Sequence, residues 1–293
     1  MMQKKLNRWA DVAVRFVGPI LPDKMFLSLL FRVRMGFWMD WKNPKTFNEK
    51  LNWLKIHNRK PIFSVMADKV RAKEYVASVI GKEHIIPTLG VWERAEDIDF
   101  DKLPDKFVIK CNHNSGRGMY ICRDKSKMDV EKVRKNLKRG LRQHFYRHYR
   151  EWPYKDIPPR IIAEQLIEDP NSPELKDYKF FCFDGKPFMM YVSRDISDDA
   201  HTDFFDMDYN LLPIRMKDPN SDVPPEKPVG FETMKELAAK LCAGMPHVRV
   251  DFYDVNGHIY FGELTFFHNS GFGRVYPEEW NLKLGSMIPI NDI

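Results

Sequence analysis

The sequence lacks any apolar run that could cross a membrane. The longest, Met25–Phe31, covers only seven residues and includes Ser28, whereas a membrane-spanning helix needs about 20. The N-terminus also lacks an apolar segment followed by the small residues of a signal-peptide cleavage site. With 43% hydrophobic and 30% charged residues among 293, the chain has the composition of a globular protein. We therefore expect neither a membrane span nor a signal peptide.

Cysteine is scarce, and the usual cysteine motifs are missing. The chain has four widely spaced cysteines and no C-x-x-C pair. This spacing disfavours a disulfide framework or a zinc finger, and it favours a reducing compartment. His144 and His148 have i, i+4 spacing, but no H-E-x-x-H pattern or third ligand accompanies them, so no zinc site is predicted. We expect a cytoplasmic protein.

Two common nucleotide-binding signatures are absent. The sequence contains neither G-x-x-x-x-G-K-[ST] nor G-x-G-x-x-G, so neither a P-loop nor a Rossmann dinucleotide site is predicted. Internal repeats and low-complexity tracts are also absent, which excludes solenoid and fibrous architectures.

The net charge of +6 is unevenly distributed along the chain. Residues 1–60 hold 13 Lys/Arg and 4 Asp/Glu, whereas the remainder holds 34 basic and 37 acidic residues. One interpretation is that apolar faces around Trp9, Phe16 and Phe31 pack on the body and leave the lysines in water. The other is docking to an anionic glycan or to membrane headgroups. We favour packing, and keep peripheral association at the inner membrane face as a second hypothesis.

Helical spacing predicts four helices in the first 80 residues. One covers Leu6–Val17, a second begins at Asp23 and ends near Gly36, and a third follows a capping box at Thr46–Glu49. The fourth runs from about Ser64 to Ile80. Two more helices are predicted further along, from Asp129 to about Tyr149 and over Phe231–Ala243.

Short β-prone runs in pairs predict antiparallel hairpins. Asp184-Gly185 and Asn256-Gly257 favour the positive φ angles of tight turns, and Arg160–Ile167 is a further predicted strand. The mixture of helices and hairpins indicates the α+β class. The paired runs are Lys106–Cys111 with Met119–Arg123, Tyr178–Phe183 with Pro187–Ser193, and Val248–Tyr253 with His258–Leu264.

A lysine followed by a glycine-containing loop forms the first chemical constellation. Lys110 ends an apolar strand, and Ser115, Gly116, Arg117 and Gly118 follow in a polar loop. Glycines let backbone N–H groups approach phosphate oxygens, and a partly desolvated ammonium neutralises their charge. The alternative is an ordinary hairpin with glycines at its turn.

The C-terminal hairpin carries a second constellation. Asp251 and Glu263 lie on paired strands, where two facing carboxylates repel each other unless a cation joins them. Mg²⁺, which prefers oxygen ligands, is the natural candidate. Arg249 projects to the same face as Asp251 because it lies two residues earlier on the strand. The alternative is a surface ladder of Arg, Asp and Glu.

A third candidate site lies at the end of the predicted strand Arg160–Ile167. The last part of this strand carries Glu164, Gln165, Leu166 and Ile167. A carboxylate with adjacent backbone amides can bind an adenine edge and a ribose. The alternative is an edge strand that runs into a loop.

The order and spacing of these elements resemble the ATP-grasp enzymes, particularly D-alanine–D-alanine ligase. The similarity includes a D-K-x-x-x-K helix start, a strand lysine before a glycine loop, an acidic hinge, and R-x-D-F followed by G-x-x-Y-x-x-E-x-N. Thr265 stands in place of the last Asn, which leaves the number of metal ions open. The matching residues are Asp68, Lys69, Lys73, Lys110, Ser115–Gly118, Glu164–Ile167, Arg249, Asp251, Phe252, Gly257, Tyr260 and Glu263.

Over residues 40–285 the chain is similar to the TupA-like ATP-grasp proteins of bacterial surface-polysaccharide clusters. The motifs that carry this similarity are N-P-K-T-F-N-E-K-L from Asn43, L-P-D-K-F-V-I-K-C-N-H from Leu103, D-Y-K-F-F-C-F-D-G from Asp177 and F-G-E-L-T-F from Phe261. The resemblance implies two α+β lobes with antiparallel sheets around an ATP cleft, plus an N-terminal helical extension. The implied domain boundaries are residues 1–60 for the basic helical N-terminal region, 61–160 for the small lobe with the glycine loop and 161–293 for the large lobe with the metal-binding hairpin.

The same resemblance implies an ATP- and Mg²⁺-dependent carboxylate–amine ligase that acts through an acylphosphate. Its substrate would be an amino acid or a glycan of a capsular or other surface polysaccharide, or its precursor. On this reading Lys73 and Lys110 hold phosphates, and the glycine loop closes over them. Arg249 stabilises the transferring group, and Asp251 and Glu263 bind Mg²⁺. Lys179, which follows Asp177-Tyr178 on an apolar strand, is a further phosphate candidate; the alternative is a solvated strand lysine.

Two other functions compete with this interpretation. Asp206-x-Asp208 is the pattern by which glycosyltransferases hold a metal on a nucleotide sugar, although no mononucleotide-binding βαβ unit precedes it. The basic segment Lys132–Arg150, with aromatic residues interspersed, is of a kind that binds nucleic acids. A solvated helix face is its commoner explanation, and we expect no nucleic-acid partner.

Overall fold

The computed structural model of the chain describes residues 18–172, 175–194 and 201–290, together with Val12, Val14 and Phe16. In this part the chain forms eight α-helices and ten β-strands, and the strands make two antiparallel sheets. This confirms the predicted α+β class. None of the described helices is long and apolar enough to cross a membrane. The helix predicted over Leu6–Val17 lies almost wholly outside the described residues.

The first sheet has the strand order β1-β4-β2-β3. Its strands are β1 (Thr88–Trp92), β2 (Phe107–Cys111), β3 (Tyr120–Cys122) and β4 (Ile161–Gln165). Val133 and Leu137 pack into the core of this lobe beside Phe107 and Ile161. Because β4 pairs with both β1 and β2, the sheet extends across the lobe boundary predicted at residue 160.

The second sheet has the strand order β10-β9-β5-β6-β7-β8. Asp184 and Gly185 have φ angles of 47° and 71°, and Asn256 and Gly257 have 53° and 86°, so both predicted hairpin turns are confirmed. Its strands are β5 (Asp177–Phe183), β6 (Lys186–Arg194), β7 (His201–Asp206), β8 (Leu211–Leu212), β9 (His247–Val255) and β10 (His258–Thr265).

The N-terminal helices pack onto the body of the protein. The first two helices whose full bounds are described are α1 (Asp23–Met35) and α2 (Phe47–His57). Gly36 ends α1 with a φ of 92°, as predicted. Phe31 is fully buried in a cluster with Phe272, which is the packing we favoured. Phe16 is 86% exposed, and Trp9 lies outside the described residues.

The capping box before α2 is confirmed. The Thr46 hydroxyl accepts the backbone N–H of Glu49 at 3.2 Å, and the Glu49 carboxylate accepts the backbone N–H of Thr46 at 3.0 Å. These two bonds satisfy donors that an α-helix leaves unpaired at its start. They also bring the Glu49 side chain to Asp40, whose N–H it accepts at 3.1 Å.

Two predicted helices are each broken in two by the tertiary structure. Residues 62–80 form α3 (Ile62–Ala67) and α4 (Ala72–Ile80) instead of one helix, and the basic segment forms α5 (Val130–Leu141) and α6 (Phe145–Tyr149). The first break occurs at Asp68, whose buried carboxylate bonds to residues outside the helix. The remaining helices are α7 (Phe231–Leu241) and α8 (Glu278–Ser286).

Lys55 of α2 is a fully buried lysine. Its Nζ donates to Asn52 Oδ1 at 2.9 Å and to the Ser270 carbonyl at 2.7 Å, and it lies 4.6 Å from the centre of the Phe272 ring. Burial lowers the pKa of Lys55 to about 7. A neutral amine still has two hydrogens, enough for both acceptors.

The contribution of Lys55 to stability is expected to rise with pH above neutrality. Between about pH 7 and the usual lysine pKa near 10, the unfolded chain keeps the Lys55 proton whereas the folded chain has released it. The folded state therefore binds fewer protons and gains stability as the pH rises. Urea unfolding at both ends of this range measures the gain. Lys55→Met should show a smaller gain, and an unchanged gain would contradict the assignment to Lys55.

Candidate functional site

A narrow cleft lies where the two sheets approach each other. Its walls come from α3, α4, β2, β4 and β10, and a bridge between Ile85 and Phe261 closes one end. The free space is only about 20 Å³, little more than one water molecule needs. Charged side chains that pair across the cleft contribute to this narrowness.

Two lysines of the cleft share one carboxylate. Lys73 Nζ and Lys110 Nζ each lie 2.5 Å from an oxygen of Glu164, and Lys73 also donates to the Ile86 carbonyl at 2.6 Å. Burial raises the pKa of Glu164, but the two ammonium groups outweigh it and leave that pKa below its usual value. One carboxylate against two lysines leaves an excess positive charge, which suits an anionic ligand.

A buried network sets the position of these lysines. Asp68 Oδ1 accepts from the Asn112 amide at 2.8 Å, and Asp68 Oδ2 lies 3.1 Å from the Arg160 guanidinium. Asn112 Oδ1 in turn accepts the backbone N–H of Arg160 at 2.6 Å. The network joins the start of α4, which carries Lys73, to the end of β2, which carries Lys110.

Lys69 is a cleft residue to which the sequence analysis gave no role. Its Nζ donates to the Asn114 carbonyl at 2.8 Å and lies 4.0 Å from Glu263 Oε2. Burial is the main reason that the pKa of Lys69 lies below its usual value. Lys69 therefore connects the lysine side of the cleft to the carboxylates of β10. The D-K-x-x-x-K motif that contains Lys69 was the sequence feature from which its place in the site could have been predicted.

The second sheet brings Arg249 and Asp251 together in a buried pair. Arg249 donates to both oxygens of Asp251, at 2.7 and 2.6 Å. Burial raises the pKa of Asp251, but Arg249 and Lys179 outweigh it and lower that pKa. The remaining donors of Arg249 reach Thr265 Oγ1 at 3.0 Å and His268 Nδ1 at 2.9 Å. Contact of Arg249 with a transferring phosphoryl group would require it to release one of these acceptors.

Lys179 lies opposite Asp251 in the pairing of β5 with β9. Its Nζ is 2.9 Å from Asp251 Oδ2 and also forms a short ion pair with Asp177. Burial disfavours the ammonium, but the two carboxylates outweigh it and raise the pKa of Lys179. Burial also raises the pKa of Asp177 to about 6. The sheet therefore aligns the predicted Lys179 and Asp251 side by side.

Glu263 is the most accessible of the predicted metal ligands. Its side chain is 41% exposed, and it borders the cleft, whereas Asp251 is buried with both oxygens accepting from cations. Within the described part of the chain, no group of three or more His, Cys, Asp or Glu residues could hold a metal. Mg²⁺ is commonly bound by one or two carboxylates together with waters and substrate phosphates. Two carboxylates beside a cationic cleft fit that pattern.

The glycine loop packs against α5 and does not cover Lys110. A Cβ on Gly118 would lie 2.7 Å from Cys111 Sγ and 3.0 Å from Gly140 Cα, so this glycine permits a close approach between the loop and the helix. Ser115, Gly116 and Arg117 are exposed. Among the described residues, Arg117 lines a separate groove on the α5 side.

The hinge residues and the aspartate pair lie apart from the cleft lining. Glu164 borders the cleft, but Gln165, Leu166 and Ile167 are not among the described residues that line it.

The carboxylate of Asp206 accepts the backbone N–H groups of Asp208 at 2.9 Å and of Asn210 at 2.8 Å. The turn between β7 and β8 thus explains the D-x-D pattern.

Comparisons with known proteins identify related folds. A family model described as TupA-like ATPgrasp matches residues 49–289, and no curated protein matches the sequence. Similar solved structures include the D-alanine–D-alanine ligase of Bacillus anthracis, with a TM-score of 0.42 and 18% identity over 70% of this chain and 59% of that one. The Helicobacter pylori ligase has a TM-score of 0.42 and 16% identity, with coverages of 83% and 69%. The chain thus spans less than two thirds of the Bacillus ligase.

Proposed function

Because the chain belongs to the TupA-like ATP-grasp family, we propose that it is an ATP- and Mg²⁺-dependent ligase that joins a carboxylate to an amine. One observation carries the proposal: two lysines on different elements converge on one carboxylate in the cleft, at 2.5 Å each. The substrate we propose is an amino acid or a glycan of a surface polysaccharide, or its precursor.

In this proposal the nucleotide phosphates replace Glu164 as the partner of the lysines. Lys73 and Lys110 already lie within 2.5 Å of a shared anion, so triphosphate oxygens can take over the same donors once the cleft widens. Lys69, whose side chain is 17% exposed and whose Nζ lies 4.0 Å from Glu263, would hold a phosphate oxygen nearer to β10. Three ammonium groups against the two carboxylates of Glu164 and Glu263 leave a net positive charge, which favours an anionic ligand.

Mg²⁺ would be held by Glu263 and Asp251. When bound, the metal neutralises charge on the phosphates and orients them. Arg249 is a positioning residue in this scheme, because it donates to both carboxylates, at 2.6 Å to Asp251 and 3.3 Å to Glu263. Lys179 fixes the second oxygen of Asp251 from the neighbouring strand.

The chemistry requires no nucleophile from the enzyme. A carboxylate oxygen of the substrate attacks the γ-phosphorus, the bond to the bridging oxygen breaks, and ADP leaves. The amine then attacks the acyl carbon of the acylphosphate, phosphate leaves, and the amine releases a proton. The chain contributes position and charge in a site with little room for water.

Glu263→Gln is expected to abolish acylphosphate formation while the protein remains folded. The glutamine lacks the anionic oxygen for Mg²⁺, but the 41% exposed side chain contributes little to the core. The measurement is hydroxamate formed by trapping with hydroxylamine, with ATP, Mg²⁺ and oligogalacturonate, L-glutamate or D-alanine as the carboxylate. Trapping does not require the natural amine to be known.

Glu279→Gln is the matched control, because Glu279 is an exposed carboxylate on α8. It should retain full hydroxamate formation, and both variants should melt at the wild-type temperature. Wild-type hydroxamate formation by Glu263→Gln would contradict the proposed metal site. Failure of ATP to raise the melting temperature of the wild-type protein would contradict the ligase itself.

A further inference from the structure

Large apolar side chains are exposed to solvent around α1, far along the chain from the residues of the cleft. Met25, Phe37 and Trp38 are 52%, 41% and 60% exposed, and the two aromatic residues are adjacent in the sequence. Neither the core of the fold nor the proposed ligase reaction uses these three side chains. Exposed apolar groups that lie together on a globular protein mark a surface for a partner.

Contacts between α1 and the segment that follows it place these side chains on one surface. The chain folds back along the helix, so that the Phe37 ring packs 5.3 Å from the Phe31 ring and Trp41 Nε1 donates to Ser28 Oγ at 2.8 Å. Met25 lies three positions before Ser28, on the same side of the helix. We call this surface the α1 patch, and its members are the apolar Met25, Phe37 and Trp38 and the cationic Lys24, Arg32 and Lys42.

The cations of the α1 patch are exposed and have no carboxylate partner in the described part of the chain. Lys24 Nζ lies 5.2 Å from the centre of the Trp41 ring, and Arg32 donates to a backbone carbonyl at the end of α1. Lys42 is also exposed, and the exposed carboxylate beside it, Asp40, accepts its backbone N–H at 2.9 Å. Three cations and this one carboxylate give the patch a net charge of +2.

This combination of side chains indicates a lipid bilayer with anionic headgroups. Aromatic side chains are favoured at the boundary between headgroups and acyl chains, where a large apolar ring leaves water. Lysine and arginine are attracted to anionic headgroups at the same depth. A second copy of the chain is a poorer partner, because a two-fold symmetric contact would place the same positive charges opposite each other.

We propose that the α1 patch docks the protein onto the anionic surface of a bilayer. The Phe37 and Trp38 rings enter the headgroup region, and the three cations of the patch contact lipid phosphates. This docking is peripheral and requires neither ATP nor the ligase reaction, so it can be tested independently of the proposed function.

The test is co-sedimentation of the full chain with lipid vesicles, without nucleotide. One set of vesicles is phosphatidylcholine alone, and the other contains about 30% phosphatidylglycerol to supply anionic headgroups. Wild-type protein should sediment with the anionic vesicles and bind phosphatidylcholine vesicles at least about tenfold more weakly. Binding to the anionic vesicles should fall between about 50 and 500 mM salt, because salt screens the charges.

The aromatic side chains are tested with Phe37→Ser/Trp38→Ser, which should weaken binding to the anionic vesicles at least about tenfold. The control Val223→Ser/Val229→Ser removes two apolar side chains that are 74% and 87% exposed elsewhere on the protein. It should bind the vesicles as tightly as the wild type.

The cations are tested with Lys24→Gln/Lys42→Gln, which should also weaken binding to the anionic vesicles at least about tenfold. The control Lys82→Gln/Lys186→Gln makes the same charge change at exposed positions outside the α1 patch. Its binding should stay within about twofold of the wild type, because long-range attraction is screened by salt.

Four outcomes would overturn the proposal: no sedimentation with the anionic vesicles, equal binding to both kinds of vesicle, equal weakening in a patch variant and its control, or a wild-type dimer that Phe37→Ser/Trp38→Ser makes monomeric. Melting temperatures establish that the variants are folded, and ATP should raise the melting temperature of each. Loss of vesicle binding with ATP stabilisation intact concerns the α1 patch alone, whereas a wild-type protein that ATP does not stabilise contradicts the ligase.

Discussion

Replacing Lys110 with alanine is expected to lower ATP turnover by roughly 100- to 1000-fold, the usual effect of removing one preorganised donor from a transition state. The Lys110 side chain is 22% exposed, and its ammonium lies 2.5 Å from Glu164, at the place where we propose that phosphate binds. Steady-state release of ADP measures the effect, and ATP-induced melting shifts report the accompanying loss of affinity.

Lys106→Ala is the control for Lys110→Ala. Lys106 lies just before the same strand, and its ion pair with Glu168 is exposed, so its loss should leave turnover within about twofold of the wild type. The Lys110 variant should fold, because Glu164 keeps its contact with Lys73 at 2.5 Å. Wild-type turnover in Lys110→Ala would exclude this lysine from the reaction.

Arg249→Met is expected to lower the free energy of unfolding by about 3–5 kcal/mol, the cost of leaving a buried charge without its partner. Asp251 is 1% exposed and would retain only Lys179, at 2.9 Å. Asp177, whose side chain is 30% exposed, would then compete with Asp251 for that one cation. Urea denaturation measures the loss, and turnover should fall with it because Asp251 and Glu263 lose their common donor.

The double variant Arg249→Met/Asp251→Asn separates charge from packing. Removing the carboxylate as well as the guanidinium should restore part of the stability, so the double variant should be less destabilised than the sum of the two single variants. Arg94→Met, at an exposed position, should change stability by less than about 0.5 kcal/mol. Additive effects at Arg249 and Asp251 would show that the pair is not energetically coupled.

Much of the local structure follows from short-range chemistry. The capping box at Thr46, the αL end of α1 at Gly36 and the two turns at Asp184 and Asn256 were all predicted and are all present. Each depends on residues within a few positions of one another, so the local sequence is sufficient. The pairing of Asp251 with Glu263 does not follow from the turn: the two-residue turn alone would place Gly262 opposite Asp251, and an irregularity between Phe261 and Glu263 shifts the register by one residue.

The contacts made by predicted site residues were less predictable. Glu164 was assigned to an adenine hinge, yet its carboxylate lies between Lys73 and Lys110. Lys73 is 91 positions away from Glu164 in the chain, and no local pattern reports such a distance. The break after α3 was missed for the same reason: a helical period continues across Asp68, whose carboxylate bonds to the distant Asn112 and Arg160.

The sequence by itself determined the α+β class, the hairpins, the family and the identity of the charged residues, because periodicity, turn chemistry and motif spacing are local properties. Only the tertiary structure decided which charged side chains contact one another. It brought Lys69 to within 4.0 Å of Glu263 and enclosed Arg249 with Asp251. The excess of basic residues in the first 60 positions suggested an anionic partner. Whether a basic residue is available to such a partner depends on its burial and pairing, and these are set by contacts between distant segments; Lys55, for example, is fully buried.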